Sequence, residues 1–171
     1  GRMNFITNMR IRTKLNILVI LVSLLLVGIG IIGLVGINAS NGALSTVYND
    51  HLVAINQLNE IRNHQMQIRL ELSAARQETD AFEVLDHIDK VRSSIFQVDN
   101  LLTAYKERDI NAEEKQMLET FIADRLNFGR VGVIPTMDLV QEEKFSQADK
   151  LRKDALDPAF KKASQSIDNL I

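Results

Sequence analysis

Three arginines at regular spacing are the side chains of this chain best suited to bind a ligand. Arg62, Arg69 and Arg76 repeat at intervals of seven residues, which places them on one line of an α-helix beside its apolar seam. A guanidinium group binds a carboxylate through two parallel hydrogen bonds. Two or three of these arginines, from one helix or from two copies of it across a dimer axis, would therefore form a binding site for a carboxylate. Gln65 and Ser73 would be neutral hydrogen-bonding neighbours one turn away. The alternative is that the arginines only cover the core with their methylene stems.

The other residue types that support chemistry do not form a catalytic pattern. His51, His64 and His87 are not spaced as paired metal ligands on one helix face, and the chain has no cysteine, so we expect no metal site and three solvated or rim histidines. The glycines lie in an apolar segment or within a predicted helix, which disfavours a phosphate-binding loop. A net charge of −2 disfavours a dedicated nucleic-acid-binding protein. We therefore predict that the chain is not an enzyme and uses no cofactor.

A long apolar segment near the N-terminus is expected to anchor the chain in a membrane. Ile17 to Ile37 is a run of 21 residues without a charge, and a helix of that length covers about 30 Å, the thickness of the bilayer hydrocarbon core. A secretory signal peptide is the alternative, but its apolar region is usually only about 7–15 residues long. We predict a tail at 1–14, of which 1–2 are a cloning remnant, a transmembrane helix at 15–37 and an extracytoplasmic domain at 38–171.

The basic residues near the apolar segment predict its orientation. Arg10, Arg12 and Lys14 precede it, and no Lys or Arg follows until Arg62. By the positive-inside rule the N-terminus is cytoplasmic and residues 38–171 lie outside the cytoplasm. In a Gram-negative bacterium the anchor would lie in the inner membrane and the domain in the periplasm.

Residues 38–171 are predicted to form an all-α, antiparallel, up-down-up-down four-helix bundle. The clearest pattern lies between Ala81 and Tyr105, where apolar positions alternate steps of four and three: Val84, Ile88, Val91, Ile95, Val98, Leu102 and Tyr105. The first helix has an apolar line of Val47, Ala54, Ile61, Ile68 and Ala75, with Leu44, Leu58 and Leu72 beside it. Polar junctions near 79–80, 108–110 and 142–146 separate the four helices.

Capping and helix-breaking residues predict where helices start and bend. Asn111 with Glu114, and Ser146 with Asp149, are typical of the first turns of the third and fourth helices. Kinks or restarts are expected at residues that disfavour a straight helix: Gly129, Gly132, Pro135 and Pro158. The chain ends at Ile171 still in helical phase, which favours a second membrane span and further domains beyond it.

Several short segments resemble a known family. They are Val47-Tyr48-Asn49-Asp50-His51-Leu52-Val53 at the start of the bundle, Tyr105 at the end of the second helix, Asn111-Ala112-Glu113-Glu114 at the start of the third, and Pro135 late in the third. With a basic start and one span, they resemble the four-helix-bundle sensor domain of bacterial methyl-accepting chemotaxis proteins. The resemblance implies a homodimer, a ligand at the membrane-distal end of the dimer interface, and downstream control of a histidine kinase.

The resemblance also implies where a ligand binds. The segment from Arg69 to Arg76 is similar to the first-helix segment of the aspartate and serine receptors, in which three arginines hold the carboxylates of the amino acid. Arg69 matches the first of these arginines. Only Arg76 lies close enough to substitute for the others. Phe145-Ser146-Gln147-Ala148-Asp149 is similar to the fourth-helix segment that holds the ammonium group, with Asp149 at the position of a Thr. These departures disfavour aspartate and serine and leave another carboxylate plausible.

We therefore predict a chemoreceptor domain that binds a small organic acid or amino acid. The site residues would be Arg69, Arg76, Arg62, Ser73, Gln65, Phe145, Gln147 and Asp149. Two alternatives stay open: the input domain of a sensor histidine kinase or nucleotide cyclase, and a ligand-free dimerisation or partner-binding module.

Overall fold

Residues 10–171 are described in a computed structural model, and within that range the chain is helical apart from its short junctions and has no strand. Its two compact units are residues 1–50 and 51–171. The helices are α1 (Ile11–Gln77), α2 (Ala81–Lys106), α3 (Ala112–Phe128), α4 (Ile134–Gln141), α5 (Phe145–Leu151) and α6 (Asp157–Asp168). Five-residue π-helical turns, Gly129–Val133 and Arg152–Leu156, join α3 to α4 and α5 to α6. We call α3 to α4 the third helix of the bundle and α5 to α6 the fourth.

The N-terminal unit contains an apolar part of α1 whose side chains are exposed throughout. This part is long and apolar enough to cross a membrane, and exposed apolar side chains without a polar stripe suit lipid rather than water. Leu44 and Val47 are also exposed, so the predicted apolar line of the first helix enters the core only from Ala54 onward. Most of the predicted tail at 1–14 lies outside the described residues, and the boundaries at 14 and 37 stay predictions.

The unit of residues 51–171 has the predicted four-helix core. In α2 the apolar stripe faces inward as expected, with Ile95 half-buried and the other six positions buried. On the first helix the buried apolar residues are Ala54, Leu58, Ile61, Ile68, Leu72 and Ala75. Burial of these faces from water supplies the main stabilisation of the bundle.

Helix starts are confirmed at two junctions and differ at the third. Asp80 accepts a hydrogen bond from the backbone N–H of Phe82 (2.8 Å), and Asn111 accepts one from Glu114 (2.8 Å). The predicted cap at Ser146 is wrong, because α5 already begins at Phe145 and no side-chain hydrogen bond within the described residues caps it.

The turn that precedes α5 explains why this helix begins earlier than expected. Glu143 has a left-handed backbone (φ 58°), the N–H of Lys144 donates to the carbonyl of Leu139 (2.8 Å), and the N–H of Glu143 donates to Val140 (3.1 Å). This pair of bonds is the Schellman motif at the end of α4. It reverses the chain within three residues, so α5 starts one residue before the expected cap.

The expected irregularities in the third and fourth helices are π-helical turns. Ile134 N–H donates to Gly129 and Asp157 N–H donates to Arg152, five residues back in each case. A proline follows each turn in the first positions of the next α-helix, Pro135 in α4 and Pro158 in α6. Proline lacks an N–H, and the extra residue of a π turn helps the helix continue past the missing hydrogen bond.

Candidate ligand-binding site

The three predicted arginines each form an ion pair with an aspartate of the fourth helix. Arg62 Nη1 lies 3.3 Å from Asp168 Oδ1, Arg69 Nε lies 3.2 Å from Asp157 Oδ1, and Arg76 Nη1 lies 2.5 Å from Asp149 Oδ1. The order of the aspartates is reversed relative to that of the arginines, as antiparallel helices require. The heptad spacing of the arginines therefore lies along the seam between the first and fourth helices.

Two of these arginines share a small pocket with a third. A cavity of about 220 Å³ is lined by Arg69, Leu70, Ser73, Arg76, Arg152, Leu156 and Asp157; we call it the arginine pocket. Arg152 donates hydrogen bonds to Asp149 (3.1 and 3.2 Å) and to Asp157 (3.2 Å). It thus contacts the same two aspartates that pair with the arginines of the first helix.

Sequence reasoning missed Arg152. It lies in the π turn of the fourth helix, where helical phase changes by one residue, so straight-helix geometry misplaces the side chains beyond it. The signal that could have found it is its spacing of three from Asp149 and five from Asp157.

Positive charge exceeds negative charge around the arginine pocket. Within residues 10–171, the guanidinium groups of Arg69, Arg76 and Arg152 form their ion pairs with two carboxylates, those of Asp149 and Asp157. The hydrogen bond from Arg152 holds the pKa of Asp149 below its usual value, and the charges of Lys153, Arg152 and Arg76 act in the same direction against the effect of burial. The same hydrogen bond raises the pKa of Arg152. Three guanidinium groups beside two carboxyl groups leave the cluster with a surplus positive charge that an anionic ligand would neutralise.

Arg76 has the least accessible side chain of the three arginines in the cluster, only 9% exposed. Its Nη2 donates to Ser73 Oγ (3.3 Å), which agrees with the expected role of Ser73 as a neutral neighbour. Its Nε is buried and has no hydrogen-bond partner among residues 10–171. A buried N–H of a charged group that lacks a partner is costly, and a ligand oxygen would satisfy it.

Phe160 gives Arg69 a second contact. The guanidinium carbon of Arg69 lies 4.8 Å above the centre of the Phe160 ring, a cation–π distance. Phe160 itself packs against Phe128 with ring centres 5.7 Å apart. Arg69 is therefore held by the core on one side while its Nε reaches Asp157.

The other predicted site residues do not join the arginine pocket. Arg62 is about half-exposed and binds Asn59 (2.9 Å) as well as Asp168. Gln65 is buried and lines a separate cavity beside α2 and the third helix. Phe145 is half-buried and lines a further cavity that includes Arg76, at the turn between the first and second helices. Gln147 is exposed on α5.

Neither metal ligands nor histidines add a second centre in the described residues. No group of three or more His, Asp or Glu side chains lies close enough to hold a metal ion within residues 10–171. His87 departs from the expected rim position, because it is half-buried with its Nδ1 2.5 Å from Glu71 Oε2. This pair joins the first helix to α2.

Comparison with protein families agrees with this arrangement. The family described as Tar ligand binding domain homologue matches residues 5–171. Neither the curated proteins nor the solved structures contain a significant match. Ligand-binding domains of chemoreceptors are non-enzymatic in general, while the absence of catalysis in this chain stays a prediction. The match covers nearly the whole chain and confirms the resemblance to chemoreceptor sensor domains; the chain belongs to the Tar ligand binding domain homologue family.

Proposed function

We propose that the bundle senses a small carboxylate that binds in the arginine pocket, and that the anchored chain signals across the membrane in chemotaxis as a homodimer. Family membership supports a chemoreceptor sensing domain with a small-molecule ligand. The surplus of guanidinium groups over carboxylates around the pocket carries the choice of a carboxylate.

The ligand carboxylate would compete with the aspartates of the fourth helix. It accepts hydrogen bonds from Arg76 and Arg69, including one from Arg76 Nε, which has no partner among residues 10–171. The ion pairs that it replaces join the first helix to the fourth. Loss of these ion pairs allows the fourth helix to slide along the first. Small helix shifts of this kind are a known form of allosteric transition. The shift is driven only by the extra affinity of the ligand for one arrangement.

Thermal unfolding of the complete chain in detergent micelles tests this proposal. The probes are succinate, citrate and phenylacetate, with succinamide as the uncharged counterpart of succinate. A probe present at about ten times its Kd stabilises the folded state by about 1.4 kcal/mol, which raises the Tm by about 2–6 °C. Arg76→Ala and Arg69→Ala should abolish the increase. Arg62→Ala is the matched control, since it removes the same kind of ion pair outside the pocket and should keep the increase.

One observation favours a second candidate, the ligand-free module. The three heptad-spaced arginines of the first helix already have aspartate partners, and such a ladder can serve only to set the register of the two helices. Failure of every carboxylate in the panel to raise the Tm would contradict the sensor proposal and favour this module. An input domain of a histidine kinase or nucleotide cyclase would bind ligands in the same way, and only the downstream part of the natural gene separates it from a chemoreceptor.

A further inference from the structure

We propose a second binding site, inside one subunit, for a small uncharged molecule with an apolar body and one hydrogen-bond acceptor such as a carbonyl oxygen. The site is a cavity of about 690 Å³ between the first helix, α2 and the third helix; we call it the α2–α3 groove. Its volume falls within the range of about 300–1,000 Å³ that is typical of small-molecule sites. It shares no lining residue with the arginine pocket and does not depend on the function proposed above.

The walls of the groove are mainly apolar. Ile68, Phe128 and Val133 form its buried part. Leu126 and Ile134 line it at the surface and are more than half exposed. Exposed apolar side chains that continue into a cavity favour an apolar ligand, because the ligand removes both surfaces from water.

A buried amide without a partner indicates that the ligand carries an acceptor. Gln65 lines the groove and is only 3% exposed, yet its Nε2 has no hydrogen-bond partner among residues 10–171. An unsatisfied buried amide destabilises a fold, so such groups usually have an explanation. The terminal torsion of glutamine is broad, which lets the amide turn its N–H toward an oxygen atom in the groove.

The charges in the groove favour an uncharged ligand. Arg125 Nη2 lies 2.8 Å from Asp99 Oδ1, so these two lining residues neutralise each other. Arg130 is exposed and donates to Asn127 (3.4 Å). A carboxylate beside Gln65 would lose its hydration, and the neutral amide there does not compensate its charge. A carbonyl or hydroxyl oxygen requires no such compensation.

The π turn of the third helix provides space for the ligand. Gly129 begins this turn and lines the groove, and a Cβ added there would meet no atom within 4 Å. π turns are frequent at functional sites because the extra residue opens the helix locally. Since the Cβ position is open, Gly129→Leu is the variant with which to fill this space.

Methyl NMR of the complete chain in nanodiscs, with labelled isoleucine, tests the proposal. The probes are acetophenone, ethylbenzene, which has a similar shape without the acceptor, and benzoate, the anionic counterpart. Acetophenone should shift the methyl signals of Ile95 and Ile134 in a saturable manner, with ethylbenzene and benzoate binding about tenfold more weakly. Gly129→Leu should abolish the shifts, and Arg76→Ala should leave them unchanged.

Gln65→Leu separates recognition by hydrogen bonding from simple apolar partition. It should weaken acetophenone binding about tenfold, to the level of ethylbenzene, and leave ethylbenzene binding unchanged. It should also raise the Tm of the ligand-free chain, since it removes an unsatisfied buried amide. No saturable shift up to the solubility limit of acetophenone would overturn the site, and equal acetophenone affinity in Gln65→Leu would overturn the role of the amide.

Discussion

The arginines of the first helix show how much one side chain depends on its partner. Arg62, Arg69 and Arg76 share residue type, helix face and spacing, but they differ in burial and in their contacts. Arg62 lies at a half-exposed rim, where an ion pair contributes little to stability. Arg76 is almost fully covered, and its Nε–H has no partner in the described part of the chain. Of the three, Arg76 and Arg69 line the arginine pocket, which is why the proposed ligand site includes them and leaves Arg62 out.

The pKa of Asp149 should depend on Arg152. The hydrogen bond from Arg152 lowers the pKa of Asp149 in the folded chain. The ionised Asp149 therefore stabilises the fold above its unfolded pKa of about 3.9, and this stabilisation is lost as the pH falls through the folded pKa. Arg152→Gln should raise the pKa of Asp149 and move the acid loss of stability to higher pH. Carboxyl ¹³C NMR titration measures the pKa, and thermal unfolding between pH 2 and 6 measures the stability.

The control for that experiment is Arg92→Gln. Arg92 pairs with Asp89 on α2, so this variant changes the net charge by the same amount without contact with Asp149. Equal pKa values of Asp149 in the wild-type chain and in Arg152→Gln would contradict the role of Arg152.

At the scale of elements, the two π turns pack directly on each other. A Cβ added to Gly132 would lie 2.8 Å from Leu156 Cδ1, closer than real contacts allow, and 3.0 Å from Leu156 Cα, which is tighter than most. Gly132 thus lets the third and fourth helices approach closely at the point where both carry an extra residue. Sequence reasoning expected irregular helices at these glycines and prolines, but only the packed structure pairs the two turns.

Gly132→Ala should destabilise the bundle. The helices must separate by a few tenths of an ångström to admit the methyl group, which costs about 1–3 kcal/mol against a helix-propensity gain of up to about 1 kcal/mol. Gly129→Ala is the matched control, because its Cβ meets no atom within 4 Å, and it should raise the Tm. Thermal unfolding followed by circular dichroism compares the two variants. A Tm of Gly132→Ala equal to that of Gly129→Ala would contradict the close approach of the two turns.

Glu143→Gly should stabilise the junction between the third and fourth helices. Glu143 adopts a left-handed backbone, with φ 58°, which costs a non-glycine residue about 1–2 kcal/mol. Glycine adopts it without strain, although it loses more conformational entropy on folding, so a net gain of roughly 0.5–1 kcal/mol is expected. Glu142→Gly tests the neighbouring position, where φ is −84°, and should lower the free energy of unfolding. The two variants should shift the Tm in opposite directions.

At the scale of the whole molecule, the charge and hydropathy of the chain are distributed unevenly. The exposed apolar part of α1 suggests a membrane protein, while the unit of residues 51–171 buries its apolar side chains in its own core. Four basic residues and no acidic ones lie before the apolar segment, and the acidic excess lies after it. This asymmetry predicts a cytoplasmic N-terminus.

Single cysteines test that orientation, because the chain has no native cysteine. Asp109→Cys, in the junction between α2 and α3, should react with a membrane-impermeant maleimide in cells whose outer membrane alone is permeabilised. Thr13→Cys, beside the basic cluster, should react only after the inner membrane is also opened. The reverse pattern of labelling would contradict the predicted topology.

The sequence by itself determined the helical class, the apolar stripe of α2, the cap at Asn111 and the long apolar segment of α1, because each depends on local composition, local periodicity or local hydrogen bonding. It also located three arginines on one helix face. Only the tertiary structure decided their partners on the fourth helix, the addition of Arg152 and the separation of Gln65 into the α2–α3 groove. These features depend on the helical phase beyond the π turns and on which helices are neighbours. The residue pattern within one helix carries no information about either.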